Sequence, residues 1–101
     1  MIATIDSKKL DKVAFVLKTI AHPLRIGIIE LLTTTAKLSV NEICEMLGSE
    51  QSLTSHHLSN MKLKGILSSS RDGKNIYYSL RLKEVTKVIE CIEDCDADKL
   101  P

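Results

Sequence analysis

Two short stretches of helical periodicity, joined by a turn that contains glycine, lie in the middle of this chain. The first has apolar residues at the spacing of one helix face: Val40, Ile43, Cys44 and Leu47. Ser39 and Glu42 form a capping-box pattern before it, and Gly48 is placed to end it. A second helix is predicted over residues 51–64. Two short helices joined in this way predict a helix-turn-helix.

The segment that follows changes from helical to strand periodicity. Two strand-like runs, residues 66–70 and Asn75–Leu80, flank residues 71–74, and Asp-Gly between such runs predicts a β-hairpin. A last helix is predicted over residues 83–96. Before the pair, helices are predicted over Ser7–Ile20 and from Pro23, which suits a first helical position. The fold class is therefore mainly α with a β-hairpin wing, a winged helix-turn-helix in the order α-α-α-α-β-β-α.

Length and composition set the class of protein. The 101 residues match one ordinary domain, so we expect a single domain over residues 1–101. No apolar run has the length of a membrane span and no signal peptide is visible, so a membrane partner is not expected. The three cysteines are an odd number, which suits reduced thiols and a cytoplasmic location.

The net charge of +1 conceals an uneven distribution of charge along the chain. Between residues 62 and 83 there are six basic residues and one acidic residue, Asp72. From residue 90 to the end there are five acidic residues and one lysine. This arrangement predicts a basic face that contacts phosphates and an acidic tail held away from it.

The helix over residues 51–64 has one face that suits contact with double-stranded DNA. Thr54, Leu58 and Met61 fall together on the side that packs inward. The candidate DNA-contacting residues point the other way or lie at the hairpin tip: Gln51, Ser52, Ser55, His56, Ser59, Lys62, Arg71 and Lys74. Short polar side chains allow close approach to base edges, and the basic ones suit phosphates or the minor groove. The alternative is a polar face and a charged hairpin that serve solubility alone. His57, at the edge of the packed face, is interpreted as structural, with its ring nitrogens bonded locally.

The first helix is apolar on more than one side. Leu10, Val13 and Leu17 form one stripe, while Phe15 and Ile20 lie off it. A domain this small has little deep interior, so one of these faces is free to meet a second chain. We therefore predict a homodimer joined by the first helix and the last.

These segments together resemble the ArsR/SmtB family of bacterial repressors over nearly the whole chain. The matching stretches are LKTIAHPLRI (residues 17–26), LSVNEI (38–43), QSLTSHHL (51–58) and GKNIYYSL (73–80). The resemblance implies a dimer formed by the first and last helices, DNA recognition by the helix over residues 51–64, and release from the operator when an inducer binds.

The sensor positions depart from the family's best-known patterns. Arsenic and cadmium sensors of the family carry two cysteines where this chain has Ser39 and Asn41. Zinc sensors place Asp and His ligands on the last helix, at positions that fall here on Leu82, Glu84, Cys95 and Asp98. Neither site is carried over, and the metal is unknown. Glu50 stands where the family usually has Ser, and an acid beside phosphates costs affinity unless it caps the helix.

Cys91 and Cys95, at i and i+4 of the predicted last helix, are the candidate effector-sensing residues. Two thiolates suit a soft metal or metalloid, which the same pair of a partner chain would complete as a four-sulfur site. Oxidation or linkage through sulfur is a second interpretation. The third is that both cysteines pack as small apolar residues. Cys44 lies on an apolar stripe and is predicted to belong to the core.

The leading hypothesis is an inducer-released dimeric repressor that binds an inverted-repeat operator. The alternatives are a constitutive DNA-binding winged helix without an effector and a protein–protein interaction module. An enzyme is not expected, because the sequence has no glycine-rich phosphate loop, no HExxH and no nucleophile-elbow pattern.

Overall fold

The computed structural model describes residues 5–95, 99 and 101. Within them it has five helices and three strands. The helices are α1 (Ser7–Ile20), α2 (Pro23–Thr34), α3 (Val40–Leu47), α4 (Gln51–Leu63) and α5 (Glu84–Glu93). The strands are β1 (Leu38–Ser39), β2 (Leu67–Asp72) and β3 (Asn75–Leu80). The predicted winged helix-turn-helix class is confirmed, with α3 and α4 as the helix pair and β2 and β3 as the hairpin.

Local capping signals set the beginnings and ends of the helices. The backbone N–H of Glu42 donates to Ser39 Oγ at 3.2 Å, and the backbone N–H of Ser39 donates to Glu42 Oε1 at 2.9 Å, so the predicted capping box is formed. Pro23 stands at the first turn of α2, where its missing N–H costs nothing. Gly48 ends α3 with φ of 62°, a left-handed conformation that a glycine adopts without strain.

The sheet has one strand more than the sequence predicted. Its order is β1-β3-β2, and both pairings are antiparallel. The short strand β1 pairs Leu38 with Tyr78 and Ser39 with Tyr77. The prediction missed it because two residues are too few to show a period, and the pairing joins segments far apart in the chain. The hairpin was predicted correctly, but its first strand begins at Leu67 rather than Ile66.

The core joins α4 to the helices beneath it. Seven apolar side chains and one threonine are almost fully buried: Ile28, Ile29, Ile43, Thr54, Leu58, Met61, Ile66 and Leu67. Thr54, Leu58 and Met61 are the three predicted for the inward face of α4, so that prediction is confirmed. On α5, Val85 and Ile89 are buried in the same core.

The prediction for the last helix was too long. α5 ends at Glu93 rather than residue 96, with Asp94 as its C-cap, so Cys95 lies just beyond the helix. The last turn of α5 contains no basic residue, so no positive charge offsets the negative end of the helix dipole there. Asp96 and Asp98 lie outside the described residues. Among the residues described, no helix combines the length and the apolar character needed to cross a membrane.

Candidate nucleic-acid interface

The outer face of α4 presents most of the predicted DNA-contacting side chains to solvent. Exposed residues on this helix include Gln51, Ser52, His56, Ser59 and Lys62. Ser55 is half-buried, which leaves its hydroxyl less accessible than the prediction assumed. No Asp or Glu occurs within α4, and Lys62 lies in its last turn. Apart from Leu53 and Leu63, which are 48% and 85% exposed, the solvent-facing side of α4 is polar, and it carries no acidic side chain.

The tip of the hairpin brings Lys74 beside Gln51, at the beginning of α4. Arg71 and Lys74 are both exposed, as predicted. The hairpin turns through Gly73 and Lys74, and Gly73 has φ of 63°, so glycine suits the first turn position. A cleft of about 180 Å³ between α3, α4 and the hairpin is lined in part by Gln51 and Lys74. The helix and the wing therefore present one continuous surface.

Two asparagines on this surface were missed by the sequence analysis. Asn41 of α3 and Asn75 of β3 are exposed and line the same cleft as Gln51 and Lys74. Amide side chains donate and accept hydrogen bonds to base edges and phosphates. Neither stands out in the sequence, because no local pattern shows that the fold brings α3 and β3 to the same cleft.

The beginning of α4 is stabilised by hydrogen bonds of two hydroxyl groups rather than by the side chain of Glu50. Ser49 Oγ and Thr54 Oγ1 are hydrogen bonded at 2.6 Å, and Thr54 Oγ1 donates to the carbonyl oxygen of Glu50 at 2.8 Å. Glu50 is the N-cap residue, yet its side chain makes no capping hydrogen bond. Its carboxylate is exposed at the end of the helix that would approach DNA.

A partly buried polar contact holds α4 against α2. Arg25 Nε donates to His57 Nδ1 at 2.8 Å, and Arg25 NH1 donates to Asn60 Oδ1 at 2.8 Å. His57 is structural as predicted, but its partner is 32 residues away, so the prediction of local bonding was wrong. Burial lowers the pKa of His57 below its ordinary 6.5, and the neighbouring Arg25, His22 and His56 lower it further.

Comparison with known proteins agrees with this geometry. Residues 22–69 match the model of the arsR family of bacterial regulatory proteins. The transcriptional repressor PagR of Bacillus anthracis is 36% identical over 88 residues, which are 87% of this chain and 88% of PagR. The chain belongs to the ArsR family. It is therefore a DNA-binding transcriptional regulator rather than an enzyme.

Solved structures of ArsR-type regulators superimpose on the fold. The crystal structure of PagR has a TM-score of 0.76 and covers 86% of this chain and 99% of that one. The structure of Mb0332 from Mycobacterium bovis, described as a homodimeric winged helix-turn-helix DNA-binding domain, has a TM-score of 0.72 at 26% identity, covering 86% of this chain and 80% of its own. The cadmium resistance regulatory protein CadC of Listeria innocua is 29% identical over 73 residues, 72% of this chain and 61% of CadC.

The three thiols of this ArsR-family chain lie in two environments. Cys91 and Cys95 are exposed, whereas Cys44 is half-buried. Cys44 was predicted to belong to the core, and it is less buried than that prediction requires. Within residues 5–95, 99 and 101, no group of three or more His, Cys, Asp or Glu side chains is placed to hold a metal ion. Near these thiols, a side-chain hydrogen bond with Glu30 raises the pKa of Glu93 above its ordinary 4.5.

Replacing Glu50 is expected to strengthen DNA binding. A Glu50→Ser protein loses one negative charge beside the phosphates and gains a residue that caps helices well. We expect operator affinity to rise roughly fivefold, because two like charges about 4 Å apart in water repel by about 1 kcal/mol. Fluorescence anisotropy with labelled DNA measures the change. Asp11→Ser, on α1, removes the same charge elsewhere and should leave affinity within about twofold; an equal rise in both variants would contradict the prediction.

Proposed function

We propose that this chain is a dimeric repressor that binds an inverted-repeat operator, with the N-terminal part of α4 in the major groove. In this proposal the base edges are contacted by Ser52, Ser55, His56 and Ser59. Gln51 contacts either bases or phosphates. The phosphates or the minor groove are contacted by Lys62, Arg71 and Lys74. The observation that supports it best is the cleft shared by Gln51 and Lys74, because it makes the acid-free face of α4 continuous with the wing.

The proposed dimer uses apolar side chains that the single chain leaves in solvent. On α1, Leu10, Val13 and Leu17 are 56%, 55% and 45% exposed. On α5, Val88 and Ile92 are 40% and 66% exposed. Large apolar side chains left exposed in groups on a helix are typical of an interface. We propose that α1 and α5 pair with the same helices of a second copy, that residues 1–101 act as one domain, and that the protein works in the cytoplasm.

Substitutions on α4 and on the wing are expected to have different effects on DNA binding. Ser55→Ala and His56→Ala should change the preferred sequence, since each good base contact discriminates by about 1–3 kcal/mol. Lys74→Ala should weaken binding to every sequence by the same factor and reduce the salt slope by about one. The measurement is affinity for a set of operator variants at several salt concentrations.

The control is Lys87→Ala on α5, which removes an exposed lysine outside the proposed surface and should leave the salt slope unchanged. Normal operator binding by a protein with all three substitutions would show that α4 is misassigned. A wild-type affinity that does not depend on salt would favour the protein–protein interaction module instead.

We also propose that an effector acts at Cys91 and Cys95. Both thiols are exposed, and they lie close in sequence to Ile92, one of the α5 side chains proposed for the dimer interface. A soft metal or metalloid, or oxidation of the thiols, would alter the packing of the two subunits. Operator binding measured with zinc, cadmium, arsenite, hydrogen peroxide and polysulfide in turn tests the proposal, and binding that none of them weakens would favour a constitutive regulator.

A further inference from the structure

Arg25 connects α4 to the two helices that precede the helix-turn-helix. Its Nε donates to His57 Nδ1, and its NH1 donates to both Asn60 Oδ1 and the carbonyl oxygen of Thr19, each at 2.8 Å. His57 and Asn60 belong to α4, while Thr19 lies in the last turn of α1. The rigid, permanently charged guanidinium therefore satisfies a carbonyl at the end of α1 and fixes α4 relative to it.

This arrangement requires that His57 be neutral. Because Nδ1 accepts a hydrogen bond from a group that is only a donor, Nδ1 carries no proton, and the proton of the neutral ring is on Nε2. Nε2 is buried and has no hydrogen-bond partner among the described residues. A second proton would have to sit on Nδ1, where it would point at the N–H of Arg25. Protonation therefore replaces an attractive contact with a repulsive one.

The surroundings of His57 oppose protonation and give it a definite pH dependence. The groups that face its ring are Arg25 from α2, His22 from the turn before α2, and His56 from α4. The His22 and His57 ring centroids are 4.4 Å apart, and those of His56 and His57 are 5.8 Å apart. Since the pKa of His57 is lowered in the folded protein, its contribution to stability is present above pH 6.5. That contribution is lost as the pH falls from 6.5 towards the folded-state pKa.

We propose that Arg25 and His57 are positioning residues for α4, and that protonation of His57 releases this helix from α2 and lowers the affinity for operator DNA. The inference rests on the proposed role of α4 in DNA binding. It adds a regulatory property, since an acidic medium would weaken repression without any bound effector. The expected sign is unusual for a DNA-binding protein, because protonated histidines on a DNA-facing surface normally strengthen binding.

The test separates His57 from the exposed His56, which belongs to the proposed DNA-contacting face. In a His56→Gln background, operator affinity is measured from pH 8 to pH 5.5 at constant ionic strength. We expect it to fall by up to about tenfold per pH unit below the pKa of His57, the limit for one proton that must be released on binding. His22→Asn, which keeps a good N-cap for α2, should retain this fall.

Two substitutions at position 57 give the decisive comparison. His57→Ala removes the acceptor for Arg25 and should weaken binding at every pH, by about tenfold for a hydrogen bond to a charged group. His57→Asn places an amide oxygen near the position of Nδ1, so it should recover most of that affinity and show a flat pH profile. A purely space-filling role for His57 predicts no such recovery. An acid-dependent fall that persists in His57→Asn would overturn the proposal.

A second measurement does not depend on these variants folding. Nuclear magnetic resonance of the parent protein follows the His57 ring and the backbone amides of α4 during the same titration. We expect the amides of Gln51–Leu63 to shift with the midpoint of His57, below pH 6.5. Amides that stay unchanged while His57 titrates would overturn the inference. Failure to bind operator even at pH 8 would instead contradict the proposed function.

Discussion

A Val13→Glu protein is expected to sediment as a monomer and to bind an inverted-repeat operator about 100-fold or more weakly than the parent. Val13 is 55% exposed on α1, so a charged side chain there is tolerated in the single chain. In the proposed dimer it would be buried against apolar side chains of α1 and α5 from the second copy, where an unpaired charge is costly. A monomer reads only one half-site and loses the effective concentration that linking two sites provides, which is worth 10²–10⁴ in affinity.

The control for this substitution lies on the same helix. Lys12 is exposed and lies on the side of α1 away from Leu10 and Leu17 at 100° per residue. Lys12→Glu introduces the same side chain and should remain dimeric by analytical ultracentrifugation. Circular dichroism checks that both proteins keep their helices. A Val13→Glu protein that is still dimeric at micromolar concentration would show that the second copy binds elsewhere.

The features predicted correctly are those that the chain specifies locally. The capping box of Ser39 and Glu42 needs only four consecutive residues, and the structure forms both of its hydrogen bonds. Gly48 and Gly73 both have positive φ. They stand where the sequence predicted the end of α3 and the turn of the hairpin. Periodicity placed Leu58 in the core correctly. The spacing of apolar residues along a helix is a local pattern, and it predicts which side chains are buried.

The features that were missed depend on residues far apart in the chain. Strand β1 forms because Leu38 and Ser39 pair with residues of β3. A strand of two residues has no local pattern that would predict it. Likewise, Arg25 lies within a segment predicted only as a helix. The two residues of its hydrogen bond with His57 are 32 positions apart in the sequence. A sequence can show that a buried histidine needs a partner, but not which distant side chain the fold brings to it.

Substituting Cys91 and Cys95 together with serine is expected to abolish effector-induced release from the operator while leaving DNA affinity within about twofold. Both thiols are exposed and remote in sequence from α4, so serine is tolerated and the DNA surface is unchanged. A metal ion or a new covalent bond at these thiols would change how α5 packs against its copy in the proposed dimer. Half-sites lie about one helical turn of DNA apart, so a small rotation of the subunits prevents both copies of α4 from docking.

The matched control is Cys44→Ser on α3. Cys44 is half-buried and its carbonyl accepts from the backbone N–H groups of Gly48 and Ser49, so it belongs to the structure of the turn before α4. This variant should lose some stability yet respond to cadmium, arsenite, peroxide or polysulfide as the parent does. Undiminished release by the double variant would place the sensor elsewhere. Loss of the response in Cys44→Ser, with fold and DNA affinity intact, would reverse the assignment, because a modified thiol beside that turn would act on α4 directly rather than through the dimer.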